Sequence, residues 1–159
     1  MEVPSHFELK RVLVPVDFSE PSRKALDYAL SLARPFDAEV RLLHVVEALV
    51  LPPDVEVMDL EAFARTLNGE AAKCLSKWRK EVASESPVEE ELRAGTPYRE
   101  IVAAAGERNM DLIVMGTHGR TGLAGLLIGS TAERVVHHAP CPVLVVRKRE
   151  QFSGAAVRS

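Results

Sequence analysis

The chain is poor in the features that mark several common functional classes. Its two cysteines, Cys74 and Cys141, stand far apart with no C-x-x-C pair, which argues against a disulfide framework and points to a reduced, cytoplasmic setting. Basic residues hold no surplus: 20 Lys and Arg against 23 Asp and Glu leave a net charge of −3, without the electrostatic footprint of a nucleic-acid binder. No hydrophobic run approaches the ~18 residues of a membrane helix. The N-terminal MEVPSHFELKR has no apolar segment of the signal-peptide kind, so neither membrane nor export is expected. Internal repeats, low-complexity tracts and a linker long enough to divide the chain are likewise missing. At 159 residues the expectation is one soluble domain with a real core.

What the chain does have is alternation. Arg11–Val16 (RVLVPV) is a short apolar run that stops at Asp17, as a buried strand does. Ser19 then stands as a helix N-cap with Pro21 in the first turn, and Ala25, Leu26, Ala29, Leu32 and Ala33 recur at helical spacing up to Pro35. A second strand is predicted at Val40–Val46, followed by a connection broken by Pro52-Pro53. A long helix is predicted from Asp59 to about Ala83 on the spacing of Leu60, Phe63, Leu67, Ala71, Leu75, Trp78 and Val82. Val88–Leu92 is a short third strand and Thr96-Pro97 opens the next helix. Asp111–Met115 is a fourth strand, Thr131–His138 a helix and Pro142–Val146 a fifth strand. Strands alternating with helices imply an α/β fold, a parallel sheet covered on both faces.

One stretch stands apart. Five of the nine glycines lie between Gly116 and Gly129 in GTHGRTGLAGLLIGST, directly after the apolar run Leu112–Met115. Glycine lets backbone amides approach a ligand closely and turn through positive φ. At the far end Ser130-Thr131-Ala132-Glu133 matches the capping box S-x-x-E, which predicts a helix start with unpaired N–H groups and a partial positive charge. Strand, glycine loop and helix N-terminus together make a phosphate-binding arrangement. The stretch lacks the lysine of a P-loop and the G-x-G-x-x-G of a dinucleotide fingerprint. It has instead Gly116-x₂-Gly119-x₉-Gly129-Ser130.

That spacing resembles the ATP-binding signature of the universal stress protein family. VLVPVDFSEPSRKAL is similar to the family's first strand, acidic loop and first helix, VRLLHVVE to its second strand, and HHAPCPVLVVR to its last segment. The likeness runs from about Lys10 to Arg147. It implies an open, Rossmann-like sheet of five parallel strands in the order 3-2-1-4-5, a domain over residues 8–148 and a loose tail over 149–159. In that order the connections of strands one and four leave in opposite directions, opening a crevice at their carboxyl ends. Asp17 and Gly116 stand at those two ends.

On this resemblance Gly116, Gly119, Gly129 and Ser130 hold phosphates through backbone N–H groups, with the Ser130 hydroxyl as a further donor or simply an N-cap. Arg120 either grips a phosphate or points into water, and Thr131 offers another amide or hydroxyl. Asp17 suggests Mg²⁺ beside the phosphates, a ribose or adenine contact, or a plain turn residue. Pro15, Val16, Val45 and Met115 line the adenine pocket in the family, although Val45 and Met115 suit a buried strand equally well. His118 lies near the phosphates as a donor at most. The adjacent His137 and His138 point about 100° apart on a helix and make a poor metal pair; His6 and His44 add no ligand spacing. The connection Leu49–Val57 is expected to cover the base as a lid. The resemblance further implies a homodimer through Pro142–Val146 at the sheet edge. The functional expectation is an ATP-binding stress-response protein, with Mg²⁺, acting through partners or its own assembly and hydrolysing ATP slowly if at all. The rival expectations are a nucleotide-free, chaperone-like interaction module and a true ATPase or adenylyl-transferring enzyme. The H-x-G-H motif of nucleotidylyl transferases is missing.

Overall fold

In strand β1 (Arg11–Pro15), Val12, Leu13 and Val14 are all fully buried, the mark of a strand covered on both faces. This computed structural model describes residues 8–48, 59–117 and 128–147. The elements that follow are α1 (Glu20–Ala33), a 3-10 turn (Arg34–Phe36), β2 (Glu39–Glu47), α2 (Leu60–Val82), β3 (Val88–Gly95), α3 (Pro97–Glu107), β4 (Leu112–Gly116), α4 (Ser130–His138) and β5 (Val143–Val146). The strands form one sheet in the order β3-β2-β1-β4-β5, with every pair parallel. The expected α/β architecture and strand order are those observed.

Two cores sandwich the sheet. On one face Val12, Val14 and Val16 of the β1 segment and Val40 and Leu42 of β2 pack with Leu26 and Leu30 of α1 and Leu75 and Val82 of α2. On the other, Leu13, Leu43, Ile113 and Met115 pack with Ile101, Ala104, Ala132 and Val135 of α3 and α4. Alternate residues of one strand thus feed opposite cores. The first connection, α1, and the last, α4, lie on opposite faces.

Three expectations need correction. The buried stripe of α1 is Ser22, Ala25, Leu26, Ala29, Leu30 and Ala33, whereas Leu32 is exposed. The apolar face of α2 is buried at Ala71, Leu75 and Val82, while Leu60 and Phe63 near its start are about half exposed. Strand β3 does not stop at Leu92 but pairs on through Arg93↔Val45, Ala94↔Val46 and Gly95↔Glu47. Its charged residues escape an apolar pattern because they pair with one another and with neighbouring elements. Arg93 donates to Glu91 at 2.7 Å and to Glu107 at 2.6 Å, and Arg41 of β2 lies 3.6 Å from Glu91. The Arg93 bond holds the Glu107 carboxyl below the usual carboxylate range.

Candidate functional site

The crevice opens where β1 and β4 part. Their pairing is Val12↔Leu112 and Leu13↔Ile113, whereas β4 runs with β5 as far as Gly116↔Val146. The Val16 amide donates to Leu43 of β2 at 2.8 Å. Main-chain groups alternate sides along a strand, so residue 15 faces β4, and Pro15 has no N–H to give it. A proline at that one place ends the β1–β4 ladder and leaves the two strand ends apart.

At the end of β1 the chain turns sharply. Phe18 adopts φ 64, a left-handed conformation that costs a non-glycine residue about 1–2 kcal/mol. The turn is tied together by side chains. Oδ1 of Asp17 accepts from the Ser19 amide at 3.0 Å and from the Ser19 hydroxyl. The Asp17 amide donates to Ser22 Oγ at 3.4 Å, and that hydroxyl donates to the Ser19 carbonyl at 3.0 Å. Ser19 caps α1 by accepting from the Ser22 amide. The α1 N-terminus therefore has its own carboxylate and hydroxyl ligands.

The end of β4 is built differently. A Cβ on Gly116 would stand 3.0 Å from the backbone carbon, the oxygen and the Cβ of Pro21. Gly116 is thus required for the close approach of β4 to the first turn of α1, a reason the sequence pattern does not give. Thr117 follows, 2% exposed. Its amide donates to Val146 at 3.1 Å, and its carbonyl accepts from the Gly129 amide at 2.6 Å. This clip brings Gly129, and with it the start of α4, to the end of β4.

The N-cap of α4 is Gly129, extended at φ −73 and ψ 158. Ser130 is therefore the first helical residue, and the capping box expected of it does not form: among the described residues no side chain caps this end. The reason is local. The Gly129 amide is held by Thr117 while its carbonyl accepts from Glu133 at 3.0 Å, so the helix begins one residue before the serine can cap it. The Ser130, Thr131 and Ala132 amides are the first-turn donors for which a helix offers no acceptor. Ser130 is exposed and Thr131 half-buried.

The structure brings Pro15, Val16 and Asp17 to one side of the crevice and Met115 and Gly116 to the other, with Gly129, Ser130 and Thr131 joined to the latter through Thr117. Met115 is 5% exposed and packs in the same core that Val45 flanks. Val16 is also buried, so its side chain is core. His118, Gly119, Arg120 and the segment Leu49–Val57 lie outside the described residues, as does the chain after Arg147. Sequence reasoning missed Phe18 and His44. Phe18 packs on His44 at 4.5 Å and on Trp78 at 5.5 Å between ring centroids, contacts that join three separate elements.

The remaining candidates are quiet. Among the described residues no group of three His, Cys, Asp or Glu is placed to hold a metal ion, and no helix is long and apolar enough to cross a membrane. Burial pushes the Cys141 thiol up, helped by Asp111, which disfavours the thiolate a nucleophile needs. His138 binds the Arg134 carbonyl through Nδ1 at 2.8 Å.

Comparison with known proteins identifies the family and the fold. The profile of the universal stress protein family matches residues 8–147. Universal stress protein MJ0531 of Methanocaldococcus jannaschii is 40% identical over 141 residues, covering 87% of this chain and 82% of that protein. Universal stress protein YxiE of Bacillus subtilis is 32% identical over 145 residues, covering 86% and 98%. Among solved structures, protein MJ0577 superimposes with a TM-score of 0.79 at 32% identity, over 90% of this chain and 99% of that one. A universal stress protein in complex with cAMP gives a TM-score of 0.61 at 25% identity, over 89% and 99%. By sequence and by fold, this chain belongs to the universal stress protein family.

Proposed function

We propose that the protein binds ATP in the crevice between the ends of β1 and β4 and works as a nucleotide-dependent regulator in a stress response. The observation that carries this reading is the start of α4: a first turn with a glycine N-cap and no capping side chain, clipped by Thr117 to the end of β4. Such a turn offers main-chain donors and a positive dipole end to an anion. The phosphates then lie on the amides of Gly129, Ser130 and Thr131, with Gly119, His118 and Arg120 contributed by the glycine stretch. Pro15, Val16, Val45 and Met115 line the side where the base sits. A relative of this fold in complex with cAMP supports an adenine nucleotide as the ligand class.

Asp17 fits a divalent cation through the chemistry of its donor set. Mg²⁺ is held by one or two carboxylates together with substrate phosphates, and Asp17 brings one carboxylate to the rim opposite α4. When bound, Mg²⁺ would offset the repulsion between that carboxylate and the phosphates. Hydrolysis is expected to be slow. A general base needs both an attacking water within reach and an orienting partner, and the sequence offers no evident residue with both. Turnover should stay below about one per minute, against roughly 1–1000 per second for dedicated enzymes.

Assembly is proposed through β5, which forms the sheet edge and carries the exposed Leu144; an edge strand invites pairing with a second copy. A thermal-shift titration tests the ligand. At 100 times the dissociation constant, Mg-ATP should stabilise the native state by about 2.7 kcal/mol, with sedimentation on the same sample reporting the dimer. Unchanged melting at millimolar Mg-ATP would favour the nucleotide-free interaction module, and fast phosphate release the ATPase.

A further inference from the structure

We infer that His44 is the positioning residue for Asp17, an inference that rests on the nucleotide reading only for what Asp17 contacts. The imidazole touches the residue on each side of Asp17. Before it, Nδ1 lies 2.7 Å from the Val16 carbonyl oxygen. A carbonyl oxygen only accepts, so Nδ1 carries the hydrogen and donates. After it, the ring packs on Phe18, with centroids 4.5 Å apart and planes 33° from parallel.

The two contacts act on different bonds of one turn. The Val16–Asp17 peptide is held at its oxygen by His44 and at its nitrogen by Ser22 Oγ, 3.4 Å away. Its plane is therefore fixed from β2 on one side and α1 on the other. Phe18, at φ 64, is the strained member of the turn, and strain of this kind persists where surroundings over-determine it. Those surroundings are the imidazole and Trp78, whose ring meets Phe18 edge-on at 5.5 Å while the Arg23 guanidinium lies 5.2 Å from its centroid. With plane and strain both set, the backbone of Asp17 is held and its side chain is anchored at Oδ1 by Ser19. Loss of the imidazole releases the peptide and Phe18 together, and the carboxylate moves from the rim of the crevice.

The alternative is a histidine that merely fills space, and the two are separable. In His44→Asn the amide nitrogen reaches near the position of Nδ1 and keeps a donor; in His44→Leu the volume is filled and the donor lost. Three readouts serve. The imidazole ¹⁵N shifts of the wild-type protein should show the hydrogen on Nδ1. In ligand-free protein the Asp17 ¹³Cγ resonance should stay in place in His44→Asn and move in His44→Leu. Mg-ATP affinity by calorimetry should fall about tenfold in His44→Leu and stay within about threefold in His44→Asn, the scale of one hydrogen bond. A hydrogen on Nε2 with none on Nδ1 would overturn the inference, as would a His44→Leu protein with wild-type Asp17 resonance and affinity. The tautomer needs no variant, so it decides the matter even if His44→Leu folds poorly. Wild-type protein that passes the first two tests yet takes up no Mg-ATP would remove the nucleotide reading and leave His44 as the positioner of Asp17.

Discussion

Two helices begin within reach of the same crevice, and they begin in opposite ways. Helix α1 is closed by its own chain: Ser19 caps it, Asp17 is bonded to Ser19, and Ser22 turns its hydroxyl back into the turn. Helix α4 starts at a glycine with no capping side chain, although Ser130 and Thr131 are at hand. A glycine N-cap gives up only a few tenths of a kcal/mol against a side-chain cap, a small cost at α4 that a bound anion would offset. The dipole is similar at both ends, and each first turn carries an acidic residue, Glu20 and Glu133; what differs is whether a capping side chain already stands there. On the proposed reading, the comparison assigns the phosphates to α4, across the crevice from Asp17.

The largest effect should come from making α4 resemble α1. Gly129 has a negative φ that any residue adopts, so Gly129→Asp should build without strain and supply the missing cap. A carboxylate about 4 Å from a phosphate charge, at an effective dielectric near 20, is repelled by about 4 kcal/mol. Calorimetry should show Mg-ATP affinity reduced by at least about 100-fold. Urea unfolding of the same variant should show a protein no less stable than wild type, gaining a few tenths of a kcal/mol from the cap. Binding and stability moving in opposite directions is the signature; parallel losses would mean the site had simply been damaged.

Next in size is Gly116→Ala. The added methyl group meets Pro21 backbone at 3.0 Å, so the join between β4 and α1 must open. Urea unfolding should register a loss of about 1–3 kcal/mol, the usual cost of overpacking, whether or not nucleotide is present. A neutral result would leave phosphate approach as the sole reason for this glycine.

The smallest test compares two serines. Ser19→Ala removes a cap and the anchor of Asp17 and should cost about 0.5–2 kcal/mol of stability. Ser130→Ala removes no cap and should stay within about 0.5 kcal/mol of wild type. Equal losses would contradict the distinction between the two helix starts.

Much of this was legible in the sequence, and the limits have physical causes. The strands RVLVPV and LIVMG announce themselves because both of their faces are covered. Ser19 and Pro21 mark the start of α1 from local chemistry alone. The family spacing of Gly116, Gly129 and Ser130 put the candidate site at the carboxyl ends of β1 and β4, the two neighbouring strands whose pairing stops at Leu13↔Ile113. The missed features are contacts between distant parts of the chain. The end of β3 was hidden because Glu91 and Arg93 are ion-paired with each other and with Arg41 of β2 and Glu107 of α3 rather than buried among apolar side chains. Ser130 matched a capping box, yet a bond between Thr117 and Gly129 set the start of the helix one residue earlier. His44 showed no motif at all, since its partners, Val16 and Phe18, lie far off in sequence and meet it through the β1–β2 pairing.

Amide shifts of the two helix starts during a Mg-ATP titration test the central claim most directly. The account predicts that Ser130, Thr131 and Ala132 move most, saturating with the binding isotherm, while Glu20 and Ser22 move less. A titration in which ATP binds and the first turn of α4 stays still would contradict it.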